Sequence, residues 1–123
     1  MTYKFKKMPE AQVLEVKLQG MLSNELRAQV LGEASAKLNI EEYNRLLVNI
    51  IDTTISKNQL SFDAYPLVDV LKKYDFKPPR KLAFLKKEDH MVRTLFEQAA
   101  NQEQISVKYF SDRDEAMEWL CQS

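Results

Sequence analysis

The chain of 123 residues holds one cysteine, one histidine, one tryptophan, two glycines and four prolines, and each shortage removes a class of chemistry. Cys121 alone cannot close a disulfide within the chain, and without a second histidine or a Cys-x-x-Cys pair no metal site of ordinary ligand spacing can be assembled. Gly20 and Gly32 are too few and too far apart for a glycine-rich phosphate loop. Eighteen Lys plus Arg balance eighteen Asp plus Glu, so the whole-molecule positive field of a nucleic-acid binder is missing, and DNA and RNA are not expected partners. No apolar run nears the roughly 18 residues of a membrane-spanning helix. The opening MTYKFKK is charged with no apolar stretch behind it, so no secretion signal is read and the cytoplasm is the expected compartment. What is present, 45% hydrophobic and 29% charged residues, suits one folded domain over residues 1–123, of a size that buries about two thirds of its unfolded surface.

Residues 2–7 alternate Tyr3 and Phe5 with lysines. Residues 12–19 set Leu14, Val16 and Leu18 on one side and Val13, Glu15 and Lys17 on the other, the period of half-covered strands. The link Met8-Pro9-Glu10-Ala11 is short and its proline cannot sit inside a ladder, so these strands are expected to form an antiparallel hairpin. Past Gly20 the period lengthens. Ser23 or Asn24 can cap a helix whose apolar stripe is Leu26, Val30, Ala34 and Leu38, with Gly32 inside it at a cost of about 1 kcal/mol relative to alanine.

Residues 46–51, LLVNII, do not alternate, which is the pattern of a strand covered on both faces and predicts the centre of the sheet. The following residues 52–58 read as a polar loop at its carboxyl end. A second helix is expected from near Asp63, with Pro66 in its first turn, Leu67, Val70, Leu71 and Tyr74 facing inward, and Pro78-Pro79 as its stop. Residues 81–85 read as a short strand, Asp89 as the cap of a third helix with Met91, Val92, Leu95, Phe96 and Ala99 inward, and residues 105–110 as the last strand. In Ser111-Asp112-Arg113-Asp114 the Ser111 hydroxyl is placed to cap a closing helix that turns Ala116, Met117 and Leu120 inward. The order β-β-α-β-α-β-α-β-α predicts an α/β layered domain with a mostly parallel sheet and an N-terminal antiparallel hairpin.

Few residues offer chemistry. His90 stands beside Glu88 and Asp89 at a helix start, an ordinary place for a solvated polar residue, and Cys121 in the last turn reads as a small packed side chain. Adjacent carboxylates such as Glu41-Glu42 and Asp114-Glu115 splay apart on a helix. No catalytic constellation, metal site or cofactor is expected. The neutral total hides two poles. Lys72, Lys73, Lys77, Arg80, Lys81, Lys86 and Lys87 face one acid, Asp75, whereas Asp112, Asp114, Glu115 and Glu118 surround Arg113. Of the basic pole, Lys72, Lys73, Lys77, Arg80 and Lys81 are candidates for meeting an anionic partner or lipid headgroups, at about 1 kcal/mol per cation near a charged membrane. Such cations equally complement helix C-termini and keep a sheet edge soluble. Phe62, Tyr65, Phe76 and Met91 are candidates for the mouth of an apolar pocket, or for core at helical spacing.

This order of elements resembles the STAS domain, the fold of the bacterial anti-sigma-factor antagonists, and within it the STAS/CRAL-TRIO-like branch, over nearly the whole chain. Residues 107–120, with the aromatic pair Tyr109-Phe110, the acidic cap and Ala116-x-x-Trp119-Leu120, are similar to that branch's closing strand and helix, and residues 80–85 to its penultimate strand. The resemblance implies that Asp52, Thr53 and Thr54 stand where the antagonists carry an Asp, two small hydroxyl residues and a glycine, the second hydroxyl being a kinase target. Ile55 replaces the glycine, so the turn presenting that hydroxyl is lengthened. Two roles follow as expectations. One is a non-enzymatic bacterial interaction module that docks a protein partner around Thr53 and Thr54, switched by phosphorylation. The other is a carrier or sensor of an apolar or amphipathic small molecule, with the basic pole toward a headgroup. A homodimer is a further expectation, although Lys4, Lys6 and Lys7 on the first strand look like edge protection.

Overall fold

A computed structural model describes residues 2–55, 69, 71–73, 76, 79–87 and 100–122, apart from the side chains of Leu22, Asn24 and Ile55. Five strands, β1 (Thr2–Met8), β2 (Val13–Leu22), β3 (Arg45–Ile55), β4 (Lys81–Leu85) and β5 (Ser106–Phe110), lie side by side in chain order. β1 pairs antiparallel with β2, from Thr2 opposite Gln19 to Met8 opposite Val13, and the other pairs are parallel. The expected hairpin is therefore present. Its link closes on itself, Ala11 N–H donating to the Met8 carbonyl and Gln12 N–H to that of Pro9, each at 3.2 Å.

Strands that follow one another in the same direction across a parallel sheet, joined by right-handed crossovers, put every crossover on one face. Helix α1 (Asn24–Glu41) lies there, pressing Val30, Leu31, Ala34 and Leu38 onto Leu14, Val16, Leu46 and Val48, and Leu71, Phe76, Ala100 and Ile105 belong to the same core. Residues 71–73 and 100–102 are helical. Ser23 caps α1, its hydroxyl accepting the Leu26 N–H at 3.1 Å. The hairpin is tied to α1 from outside as well: the Tyr3 hydroxyl donates to Glu33 at 2.9 Å, Gln29 donates to the Tyr3 oxygen at 3.2 Å, and Lys7 meets Glu41 at 3.0 Å. The hydrogen bond to Glu33 pushes the Tyr3 hydroxyl above its usual pKa.

The opposite face carries helix α2 (Arg113–Cys121), whose Ala116 and Leu120 seal a second, smaller core with Val13, Leu47, Ala83 and Leu85. Because both faces are covered there, Leu46, Leu47, Val48 and Ile50 are all buried, as the unbroken apolar run predicts. Burying one such side chain fully contributes about 1.5–3 kcal/mol, so these four alone anchor the sheet. α2 packs mainly over β3, β4 and β5, and reaches β2 at Val13 and, through Arg113, at Glu15. On the β1–β2 half of this face α2 covers Val13 and Glu15, while Lys4, Lys6 and Lys17 stand exposed beside it.

Three local expectations are corrected. Residues 52–55 are not loop: β3 continues through them, paired with Gln19 to Leu22 of a β2 that also runs past Gly20. The cap of α2 is Asp112, whose carboxylate accepts the Asp114 N–H at 2.8 Å, because the helix starts one residue later than a Ser111 cap requires. Cys121 is exposed rather than packed, since the buried line of α2 runs through Ala116 and Leu120 and the helix ends at Cys121. The apolar residues expected on the second and third helices at 63–68, 70, 74 and 91–99 lie outside the described residues.

Candidate functional site

The carboxyl end of β3 is built around a bulge. Lys17 pairs with Asn49 but Gln19 pairs with Asp52, so β3 carries one residue more than β2 at this point. Side chains repair the interrupted ladder: the Asn49 amide oxygen accepts the Ile51 N–H at 3.1 Å, and the Thr53 hydroxyl donates to the Ile50 carbonyl at 2.6 Å. Beyond the bulge β2 keeps pace through Gly20, whose φ of 103° is open to a residue without Cβ. The strand then resumes with Asp52 exposed and ion-paired to Lys17 at 3.4 Å, Thr53 buried, and Thr54 exposed beside the Met21 sulfur at 3.8 Å.

Alternation thus splits the three candidate residues. Thr53, at 2% exposure, is committed to holding the bulge, whereas Asp52 and Thr54 point to solvent on the side of the sheet that carries Lys17 and Met21. Met21 is itself 55% exposed, which gives this rim an apolar element next to a hydroxyl and a carboxylate. The arrangement can present a shape, accept or repel charge, and have its one accessible threonine modified.

The basic candidates sit elsewhere. Lys81 opens β4 opposite Arg45, which opens β3, so Thr54 lies nine residues further along the sheet, about 30 Å away. The Lys81 ammonium donates to the carbonyls of Trp119 at 3.0 Å and Gln122 at 2.8 Å and lies 5.2 Å over the Trp119 ring, so it closes the C-terminus of α2. Arg80 is half-buried, bonded to Asn39 and placed 5.9 Å over the Phe76 ring. Lys72 is paired with Glu103 at 3.3 Å, Lys73 is exposed, and Lys77 lies outside the described residues. Arg45, Arg80 and Lys81 border a cleft of about 300 Å³ with Gln12, Asn44 and Ser106. Replacing Lys81 by methionine, which keeps the stem and removes the charge, is expected to cost about 1 kcal/mol in urea unfolding through the lost cap and ring contact. An unchanged midpoint would mean the ammonium is free for an outside anion.

Of the apolar candidates only Phe76 is among the described residues. Phe76 is 1% exposed and belongs to the main core, and Phe62, Tyr65 and Met91 lie outside the described residues. His90 does too. Among the described residues no cluster of His, Cys, Asp and Glu comes close enough to hold a metal ion.

Sequence reading missed one feature altogether. Glu15, read as a polar residue of a half-covered strand, is 6% exposed, and Arg113 at the start of α2 grips both of its carboxylate oxygens, one at 3.0 Å. Burial pushes the Glu15 carboxyl up. The two bonds and charge of Arg113, together with Asn49 and Lys6, outweigh burial and hold it below the usual range. The bonds to Glu15 in turn push the Arg113 guanidinium up. The partners are 98 residues apart in the chain, so no local pattern announces them. Their effect is to seat the N-terminus of α2 against β2, beside Asn49 and the bulge.

No family model matches the chain, and no curated protein matches it in sequence. Solved structures do match in shape. A protein of the DUF3478 family with a SpoIIAA-like fold from Shewanella loihica PV-4 is 19% identical, with a TM-score of 0.59 over 98% of this chain and 93% of that one. The anti-sigma factor antagonist SpoIIAA in its unphosphorylated form gives 0.54 at 8% identity, covering 96% of each chain. An anti-sigma factor antagonist from Mycobacterium paratuberculosis gives 0.57 at 10% identity over 98% of this chain and 96% of that one. The chain has the SpoIIAA-like, or STAS, fold: a five-stranded mixed sheet, antiparallel only at β1–β2. Among the described residues no helix is long and apolar enough to cross a membrane.

Proposed function

We propose that this protein is a non-enzymatic regulatory module of the cytoplasm that docks a protein partner at the rim formed by Met21, Asp52 and Thr54, and that phosphorylation of Thr54 releases the partner. The observation that carries this reading is the split between the two threonines: the buried one holds the bulge and the exposed one stands near the strand end beside the Met21 sulfur. The fold neighbours named as anti-sigma factor antagonists, one of them described in an unphosphorylated form, support the same class of role. A kinase transferring the terminal phosphoryl group of a nucleoside triphosphate to the Thr54 oxygen would add about 1.5–2 negative charges next to Asp52. Two like charges on one small rim repel an acidic partner surface and resist desolvation by an apolar one.

The test is quantitative affinity capture from the native extract with wild type, Thr54→Ala and Thr54→Asp. The reading expects one stoichiometric protein retained by wild type and Thr54→Ala and reduced at least about tenfold by Thr54→Asp, a difference of about 1.4 kcal/mol. No stoichiometric partner, or equal retention by all three, overturns it.

A further inference from the structure

The face of the sheet that bears α2 has a stepped shape. α2 forms a ridge mainly over β3, β4 and β5, and beside it, past Val13 and the Glu15–Arg113 pair, β1 and β2 form a shelf on which Lys4, Lys6 and Lys17 are exposed. The shelf is basic. Lys4 and Lys17 are direct cross-strand neighbours, an arrangement of like charges that costs stability, and Lys6 follows on the same side opposite Glu15. Glu15 is already neutralised by Arg113, and Asp52 is shared with Lys17 at the far end. Lys4 has no ion-pair partner among the described residues.

The ridge is acidic. With Ala116 and Leu120 turned inward, helical spacing puts Asp114 and Glu118 on the outer crest, and Glu115 is exposed as well. The helix dipole accounts for acids in the first turn, Asp114 and Glu115, but not for Glu118 near the middle, which likewise has no ion-pair partner among the described residues.

Ridge and shelf match in three ways. An α-helix is about 10 Å across and two strands are about 10 Å wide. Asp114 and Glu118 are about 6 Å apart along the helix axis, and Lys4 and Lys6 are about 7 Å apart along β1. Their charges are opposite. Both surfaces lie on one face of one chain, which is the condition for an isologous pair: a two-fold axis brings each copy's ridge onto the other's shelf.

We propose that this face joins two copies of the chain in a symmetric dimer, with Asp114 and Glu118 of each copy lying against Lys4 and Lys6 of the other. The open shelf, beside Thr2 to Lys6, is small, about 10 by 17 Å, so the pair belongs with transient rather than obligate interfaces and dissociates at micromolar to millimolar concentration. The proposal is independent of Thr54, which lies past the end of β1 and is unchanged in every variant below.

Sedimentation equilibrium up to about 1 mM protein, in about 0.1 M and about 1 M salt, tests it, because the screening length falls from about 10 to 3 Å over that range. Wild type is expected to dimerise at low salt and to dissociate at least about tenfold more readily at high salt. The double variants Lys4→Glu/Lys6→Glu and Asp114→Lys/Glu118→Lys, checked for native circular dichroism, are each expected to be monomeric alone and to form a 1:1 heterodimer when mixed, since shelf and ridge are then complementary again. A wild type that stays monomeric at low salt overturns the proposal. So does a dimer indifferent to salt, or variants that fold but neither lose self-association nor regain it in the mixture. Should either variant misfold, the salt dependence of wild type and the other variant still decide.

Discussion

Thr53→Asp is expected to lower the free energy of unfolding by about 3 kcal/mol or more at neutral pH, while Thr54→Asp, one residue on, moves it by less than about 0.5 kcal/mol. Thr53 is buried and its hydroxyl donates a 2.6 Å hydrogen bond to the Ile50 carbonyl, at the point where the ladder between β2 and β3 is interrupted. An aspartate there has no proton to donate, sets a negative charge against a carbonyl oxygen, and loses its water. Thr54 is exposed and, among the described residues, its hydroxyl makes only the long contact to Met21. Urea unfolding followed by circular dichroism separates the two. The buried aspartate's pKa lies above its unfolded value, so the penalty of the Thr53 variant shrinks as the pH falls and the group protonates. Equal losses from both substitutions would mean that the strand does not alternate here and that Asp52 to Ile55 is loop after all.

Arg113→Ala is expected to cost about 2 kcal/mol at pH 7, and much less near pH 3. Removing one partner of a fully buried ion pair costs about 3–5 kcal/mol, and the figure is discounted here because Arg113 keeps 44% of its side chain in water. The sign of the pH dependence follows from Glu15. In wild type its carboxyl is held below the usual range, so the stability it contributes is present above the unfolded pKa and is lost as pH falls through the lowered folded value. Without Arg113 the causes that lowered it are largely gone and burial dominates, so its folded pKa moves above the unfolded one. The variant then gains stability as acid protonates the group, and the two curves converge. Glu15→Gln with Arg113 intact is expected to lose less, because a neutral amide needs no counterion. A gap between wild type and Arg113→Ala that is constant from pH 3 to pH 7 would contradict the pair's role.

Much of the fold was legible because hydrophobic period reports burial. LLVNII has no polar alternation since α1 covers one face of β3 and α2 the other, and it lies third of five strands. The lysines that alternate with Tyr3 and Phe5 mark an edge strand with one face on the core. What was illegible depends on contacts between distant residues. Asp52-Thr53-Thr54 has the composition of a loop and is nevertheless strand, because Gly20 lets β2 extend alongside it and the Asn49 and Thr53 side chains repair the bulge. Lys81 reads as a free cation until the end of α2 is folded back onto it. The charge of Glu15 suggests solvent, and only the arrival of Arg113 lets it be buried. In the candidate site, which threonine is accessible follows from the parity of β3 beyond Ile51, where a loop was expected.

Hydrogen–deuterium exchange on the partner complex captured by wild type, compared with the free protein, addresses the docking rim itself. Slowed exchange concentrated in residues 20–22 and 52–55, and absent when Thr54→Asp is used in place of wild type, is the expected result. Protection that falls instead on the amino ends of β3 to β5, around Arg45, Arg80 and Lys81, would place the partner at the other end of the sheet and contradict the account.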